Sequence, residues 1–211
     1  MTFWKQFKRK IIFPCFSVIF LFPIFSSSEE LADAVQDVID AVEKNPVDPV
    51  AQRQAGNGYL YLAREVGETP AREVFGAMAD FHLDQAVQLD PEDMQALELL
   101  GETAVLNKDP IKAASVFEDL VRRQTDPAEG KYLVKLHACY QWMSDPWRGV
   151  DFYSSQLQRI PNWPQIKFLK ATLLLKIDRQ RALEIMWELA GSADTPAGLK
   201  QTVRAALKEE S

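Results

Sequence analysis

Histidine and cysteine are almost missing from this chain, with two of each in 211 residues. Cys15 stands in an N-terminal apolar stretch, which leaves Cys139 alone in the remainder. A single thiol forms no internal disulfide, so packing must hold the fold even in an oxidising compartment. His82 and His137 have no second His or Cys at ligand spacing, so neither a metal nor any other cofactor is expected. Also missing are a Gly-rich phosphate loop, His-Glu-x-x-His, Cys-x-x-Cys and a Gly-x-Ser-x-Gly elbow. Carboxylates are plentiful, but they fall where helix caps and solvated faces place them. With no catalytic residue to name, the reading is of a non-enzyme.

The first residues differ from the rest. "MTFWKQFKRK" holds four cations and no acid, "IIFPCFSVIFLFPIF" is apolar for fifteen residues, and "SSSEE" follows. That order is a charged region, an apolar region and a small-residue cleavage site, with Ser26 and Ser28 at −3 and −1. Fifteen residues broken by Pro14 and Pro23 fall short of the ~20 that a membrane-spanning helix needs. Residues 1–28 therefore read as a cleaved export signal, with a retained membrane anchor as the alternative. "IFPC" lacks the small residues that precede a lipid-attachment cysteine. Losing Lys5, Lys8, Arg9 and Lys10 takes the 24 cations to 20 against 30 acids, a net charge near −10. A chain that acidic repels phosphate backbones, so nucleic acid is not an expected partner.

Proline punctuates the remainder. Asp or Thr precedes Pro at Asp48-Pro49, Thr69-Pro70, Asp90-Pro91, Asp109-Pro110, Asp126-Pro127, Asp145-Pro146 and Thr195-Pro196. An aspartate accepts from the first open backbone N–H groups of a helix, and Pro at the first helical position loses no bond it needed. The first six pairs are 21, 21, 19, 17 and 19 residues apart, which predicts a row of helices of similar length.

Between those marks, three units align. "QALELLGETAVLNKDPIKAASVFEDL", "KYLVKLHACYQWMSDPWRGVDFYSSQL" and "PQIKFLKATLLLKIDRQRALEIMWEL" each place an apolar residue three before a leucine: Leu97 and Leu100, Leu133 and Leu136, Ile166 and Leu169. Gly101, His137 and Lys170 follow these leucines. Twelve residues later stand Ala113, Gly149 and Ala182, and four further on Phe117, Tyr153 and Met186. This pattern resembles the tetratricopeptide repeat, marked by Leu-Gly-x₂-Tyr, then Ala-x₃-Phe, then Pro over about 34 residues. An earlier unit resembles it too, with Gly56 and Tyr59 in "AGNGYLYL" and Ala79, Leu83, Ala86 and Pro91 behind them. There 23 residues separate Gly56 from Ala79 where the other units use twelve, an excess close to three helical turns. The expectation is two lengthened helices around "VGETP".

The expected fold is all-α: a right-handed superhelical solenoid of about four helix pairs over residues 47–195. A leading amphipathic helix (29–46) carries Leu31, Val35, Val38 and Val42 on one face. A C-terminal capping helix (196–211) carries Leu199, Val203 and Leu207, because a terminal repeat needs a polar-backed cover. Ten helices are expected in all. Cys139 and His137 read as packing residues, and His82 as one on an exposed side.

The resemblance implies a non-enzymatic adaptor that binds a protein or peptide in a groove lined by the first helix of each pair. Carried over residue by residue, the groove positions are Arg53, Asn57, Leu60 and Tyr61, then Glu98, Glu102, Val105 and Leu106. Lys131, Val134, Gln141 and Trp142 follow from the third unit, and Lys167, Leu174 and Leu175 from the fourth. Tyr61 and Trp142 have a second reading as residues that seal helix junctions. Some members of the family grip a partner's C-terminal carboxylate, and those positions fall here on Arg53, Asn57, Leu99, Lys131 and Lys135. The functional expectation is an exported scaffold, periplasmic or secreted; the alternative is a membrane-anchored structural part of an envelope or secretion assembly.

Overall fold

The structure, a computed structural model, describes residues 28–124 and 130–210. Residues 1–27 of the expected export signal and the Asp126-Pro127 pair lie outside the described residues. Among the described residues there are ten helices and no strand. They are α1 (Ser28–Lys44), α2 (Pro49–Glu65), α3 (Pro70–Leu89), α4 (Met94–Leu106) and α5 (Pro110–Arg123). After these come α6 (Lys131–Trp142), α7 (Trp147–Arg159), α8 (Pro164–Leu174), α9 (Arg179–Gly191) and α10 (Ala197–Glu209). Neighbouring helices pack in chain order, which makes an all-α solenoid.

Aspartates start several of these helices by local chemistry. The Asp48 carboxylate accepts from Val50 N, and Asp109 from Ile111 N and Lys112 N. Asp145 accepts from Trp147 N, at the start of α7. Asp90-Pro91 is different from expectation. Asp90 ends α3, Pro91 lies in the turn, and Asp93 caps α4 through Gln95 N and Ala96 N, 3.0 Å each. The three-residue shift arises because Asp93, not Asp90, directly precedes the apolar helical run. The lengthened first pair is present: α2 and α3 hold 17 and 20 residues, against 13 and 14 for α4 and α5.

Each pair closes at the aligned positions. A Cβ built on Gly101 would stand 2.8 Å from the Phe117 ring, and one on Gly56 would overlap the Leu83 side chain. Ala79, Ala113 and Ala182 are fully buried at the facing position. The third pair is built otherwise. With His137 in place of glycine, α6 and α7 approach at few points, whereas α4 lies along α5. Aromatic side chains fill the space: Tyr140 meets Tyr153 edge-on at 5.6 Å, and Phe152 meets Tyr153 at 6.0 Å. Cys139 is buried in the same core.

A helix packs at each end of the array. Ile39 of α1 packs against Tyr59, Leu60 and Ala79, while the side chains of Leu31, Val35 and Val38 lie outside the described residues. On α10, Val203 and Leu207 are buried, and Leu199 packs beside them against Met186, Leu189 and Ala190. These three side chains remove apolar area corresponding to about 4–8 kcal/mol. Deleting residues 196–211 should therefore lower the melting temperature of the whole array and expose the α9 surface. An unchanged thermal melt of the truncated chain contradicts this.

Candidate functional site

The first helices of the pairs, α2, α4, α6 and α8, lie beside one another, α2 touching α4 and α6 touching α8. Charged side chains bind α2, α4 and α6 into one surface. Arg53 Nη1 donates to Asp93 Oδ2 at 2.6 Å, and Arg64 Nη2 to Glu102 Oε2 at 2.7 Å. Lys135 Nζ reaches Glu102 at 2.5 Å and Glu98 at 3.1 Å, and Lys131 Nζ reaches Glu98 at 2.7 Å. The Tyr132 hydroxyl donates to the same Glu98 oxygen at 3.3 Å. Burial pulls the Glu98 and Glu102 carboxyls upward, but the donated hydrogen bonds outweigh it and leave both below the ordinary carboxylate range. Burial likewise pulls Lys135 down, while its bonds to Glu102 and Glu98 leave it raised. Both partners of this ladder stay ionised through neutral and mildly acidic pH.

Around the ladder lie apolar side chains with no cover. Val134 is 70% exposed, Trp142 51% and Val105 41%. Lys131, Val134, Ala138 and Trp142 form the exposed stripe of α6, at helical spacing. Lys135 bonds Glu98 thirty-seven residues back, and Trp142 follows Val105 by the same interval, so Trp142 and Val105 continue the ladder's register toward the helix ends. Glu98, Glu102 and Val105 make the facing stripe on α4.

Several expected groove positions are therefore brought together: Arg53, Glu98, Glu102, Lys131, Lys135 and, by register, Trp142. Asn57 and Tyr61 are half-buried one and two turns along α2 from Arg53. Lys167 is tied to Glu188 of α9 at 2.7 Å, across its own pair rather than toward α6. Leu60 and Leu174 do not line the surface; both are fully buried, because a shift of one residue on a helix turns a side chain by about 100°. Of the carboxylate-grip positions, Leu99 packs against the core, and Arg53, Lys131 and Lys135 each already hold a carboxylate of this chain. An incoming carboxylate would have to compete with Asp93, Glu98 and Glu102.

His82 also departs from its reading as an exposed residue. It is buried, stacks on Tyr59 with ring centroids 5.5 Å apart, and its Nδ1–H donates to Gln52 Oε1 at 2.8 Å. Burial lowers its pKa.

Other polar contacts were not legible in the sequence. Lys112 of α5 bonds Asp80 and Asp84 of α3, both at 2.7 Å. Arg148 of α7 bonds Ser115 and Glu118 of α5, at 2.8 and 2.9 Å. Glu118 is buried and also accepts from the Tyr140 hydroxyl at 2.9 Å. The available signal was positional: Lys112 and Arg148 both stand one residue before the aligned small residue. Among the described residues no group of His, Cys, Asp and Glu could hold a metal ion. A cleft of about 510 Å³ opens between the α2–α3 and α4–α5 turns, lined by Glu68, Arg72, Glu73, Leu106, Asn107 and Lys108. Its polar groups are largely engaged, Arg72 with Glu68 and Leu106 O, and Asn107 with Gly76 O. No protein-family model and no curated protein matches the chain.

Asp93 carries two loads, capping α4 with one oxygen and holding Arg53 with the other. Asp93→Ala removes both and strands a half-buried guanidinium, so a loss of about 2–4 kcal/mol is expected in urea denaturation. Asp93→Asn keeps the capping oxygen and should lose about half as much or less. An alanine variant as stable as the parent contradicts the double role.

Proposed function

We propose that this chain is an exported, non-enzymatic tetratricopeptide-repeat adaptor, a right-handed array of four helix pairs that binds a protein or peptide through the surface of its first helices. The aligned small and large residues of the pairs support the repeat reading. The observation that carries the binding reading is the α4–α6 surface, where Val105, Val134 and Trp142 are exposed beside a fixed ladder of ion pairs. Ion pairs held by the chain itself leave the surface rigid and nearly neutral, so little ordering is needed when a partner docks. Apolar groups beside the ladder supply area to bury, and Trp142 is the kind of residue that anchors an interface. No nucleic-acid or cofactor role is proposed. Among the described residues no helix is long and apolar enough to cross a membrane, so contact with one is proposed only through an uncleaved N-terminal segment.

The test is capture of partners from envelope extract by the purified chain, repeated with Val134→Glu and Trp142→Ala. A specific partner should be retained by the parent and lost, by about tenfold or more in affinity, with either variant. Trp187, 66% exposed on α9, is the control, and Trp187→Ala should bind as the parent does. Equal binding by Val134→Glu and Trp142→Ala contradicts the assignment of this surface.

A further inference from the structure

His137 stands where the first two pairs have Gly56 and Gly101, at the most open junction of the array. Its side chain is buried between three helices. Nδ1 lies 3.2 Å from the Tyr153 hydroxyl on α7. Nε2 lies 3.1 Å from Thr172 Oγ1 on α8 and 3.1 Å from Gln141 Nε2 on α6.

The proton positions follow from satisfying each group. Tyr153 is fully buried, so its O–H needs an acceptor, and Nδ1 is within reach. Thr172 gives its own hydroxyl proton to Leu169 O, 2.7 Å away, which leaves its oxygen to accept from Nε2–H. Gln141 Nε2 lies on that side, and turning the amide over puts its carbonyl oxygen there to accept from Nε2–H, since amide nitrogen and oxygen are assigned by their partners. The outcome is one directed chain from Tyr153 through His137 to Thr172 and the Leu169 carbonyl. It joins α7, α6 and α8, and it requires a neutral imidazole.

A second proton can go only on Nδ1. There it removes the acceptor of the Tyr153 O–H and places a positive charge in a buried site. The groups facing the ring offer it no compensation. Tyr153 faces it from α7 and Lys176 from beyond the end of α8, where Lys176 also donates to Gln141 O at 3.3 Å. Cys139, on the same helix as His137, is a buried thiol that burial pushes up to about 11 and so stays uncharged. Among the described residues no carboxylate bonds this ring.

We propose that His137 is a proton-operated latch: protonation of its ring opens the array between α6 and α7, while the α4–α5 pair stays closed. Burial, and then the charge of Lys176, pushes His137 down to about 4 from 6.5. The opened state, with an ordinary imidazole, takes the proton more readily than the closed one. The closed state is therefore fully favoured above 6.5 and loses ground as pH falls toward about 4. Within that window the opened fraction rises about tenfold for each pH unit. The Glu98 and Glu102 ion pairs keep their charge there, because both carboxyls lie below the ordinary range.

The test is hydrogen exchange on the full chain at pH 7 and pH 5, corrected for the intrinsic pH dependence of exchange. Protection of α6 and α7 should fall roughly twentyfold on acidification, while α4 and α5 keep theirs. His137→Gln, which offers an amide to both neighbours and does not titrate, should abolish the difference, and His82→Gln should leave it intact. Tyr153→Phe removes the bond that holds the neutral ring, so its opening should begin at higher pH. Equal acid sensitivity in His137→Gln, or simultaneous loss of protection in every helix, overturns the proposal. Should His137→Gln fail to fold, an opening midpoint in Tyr153→Phe identical to the parent's overturns it equally.

Discussion

The closing contact of each helix pair governs the rest of this molecule. One position on the first helix faces a large side chain on the second, and a glycine there lets the two backbones come near. Gly56 receives Leu83 and Gly101 receives Phe117, so the first two pairs lie flush. His137 has a ring where they have a hydrogen, and α6 and α7 stand apart with Tyr140, Phe152 and Tyr153 between them. Lys170 occupies the same position in the fourth pair, where burial and then Arg181 lower its pKa against the pull of Asp151. The closing position is thus polar in the later half, and the third pair alone stands open, since α8 still lies along α9. Buried hydroxyls need partners, and the bonds from Tyr140 to Glu118 and from Tyr153 to His137 supply them.

The ion-pair ladder on the first helices depends on that packing, because it needs α2, α4 and α6 held in fixed register. Arg64, Glu102, Lys135, Glu98 and Lys131 follow one another with no cation left unmatched. In an acidic chain, this confines the surface to short-range contacts rather than long-range attraction. Recognition on such a surface rests on shape and on the apolar side chains around it. Val105, Val134 and Trp142 are those side chains.

Much of the fold was legible in the sequence because its signals are local. Asp48 and Asp109 cap the helices they precede, and the apolar spacing places Leu97, Leu100, Leu133 and Leu136 in the core. Asp90-Pro91 misled because a capping aspartate followed three residues later, and only the backbone path distinguishes the two. The site was legible in part. Glu98, Glu102, Lys131 and Lys135 could be placed on neighbouring stripes, but their mutual pairing depends on inter-helix register, which a single sequence does not contain. Arg53 could be placed near a groove, while its partner Asp93 could not, since Asp93 had no separate mark. His82 shows the same limit, its hydrogen-bond partner being a glutamine thirty residues away.

The dependence of helix spacing on one residue can be measured directly. Spin labels at Ala138 and Asp151, both exposed on α6 and α7, report the separation of the third pair. His137→Gly restores the hydrogen that the first two pairs have at this position. The label distance should then shorten by a few ångströms as Tyr153 settles over α6, as Phe117 does over Gly101. A distance unchanged from that of the parent chain would mean that something other than this contact sets the spacing of the helices.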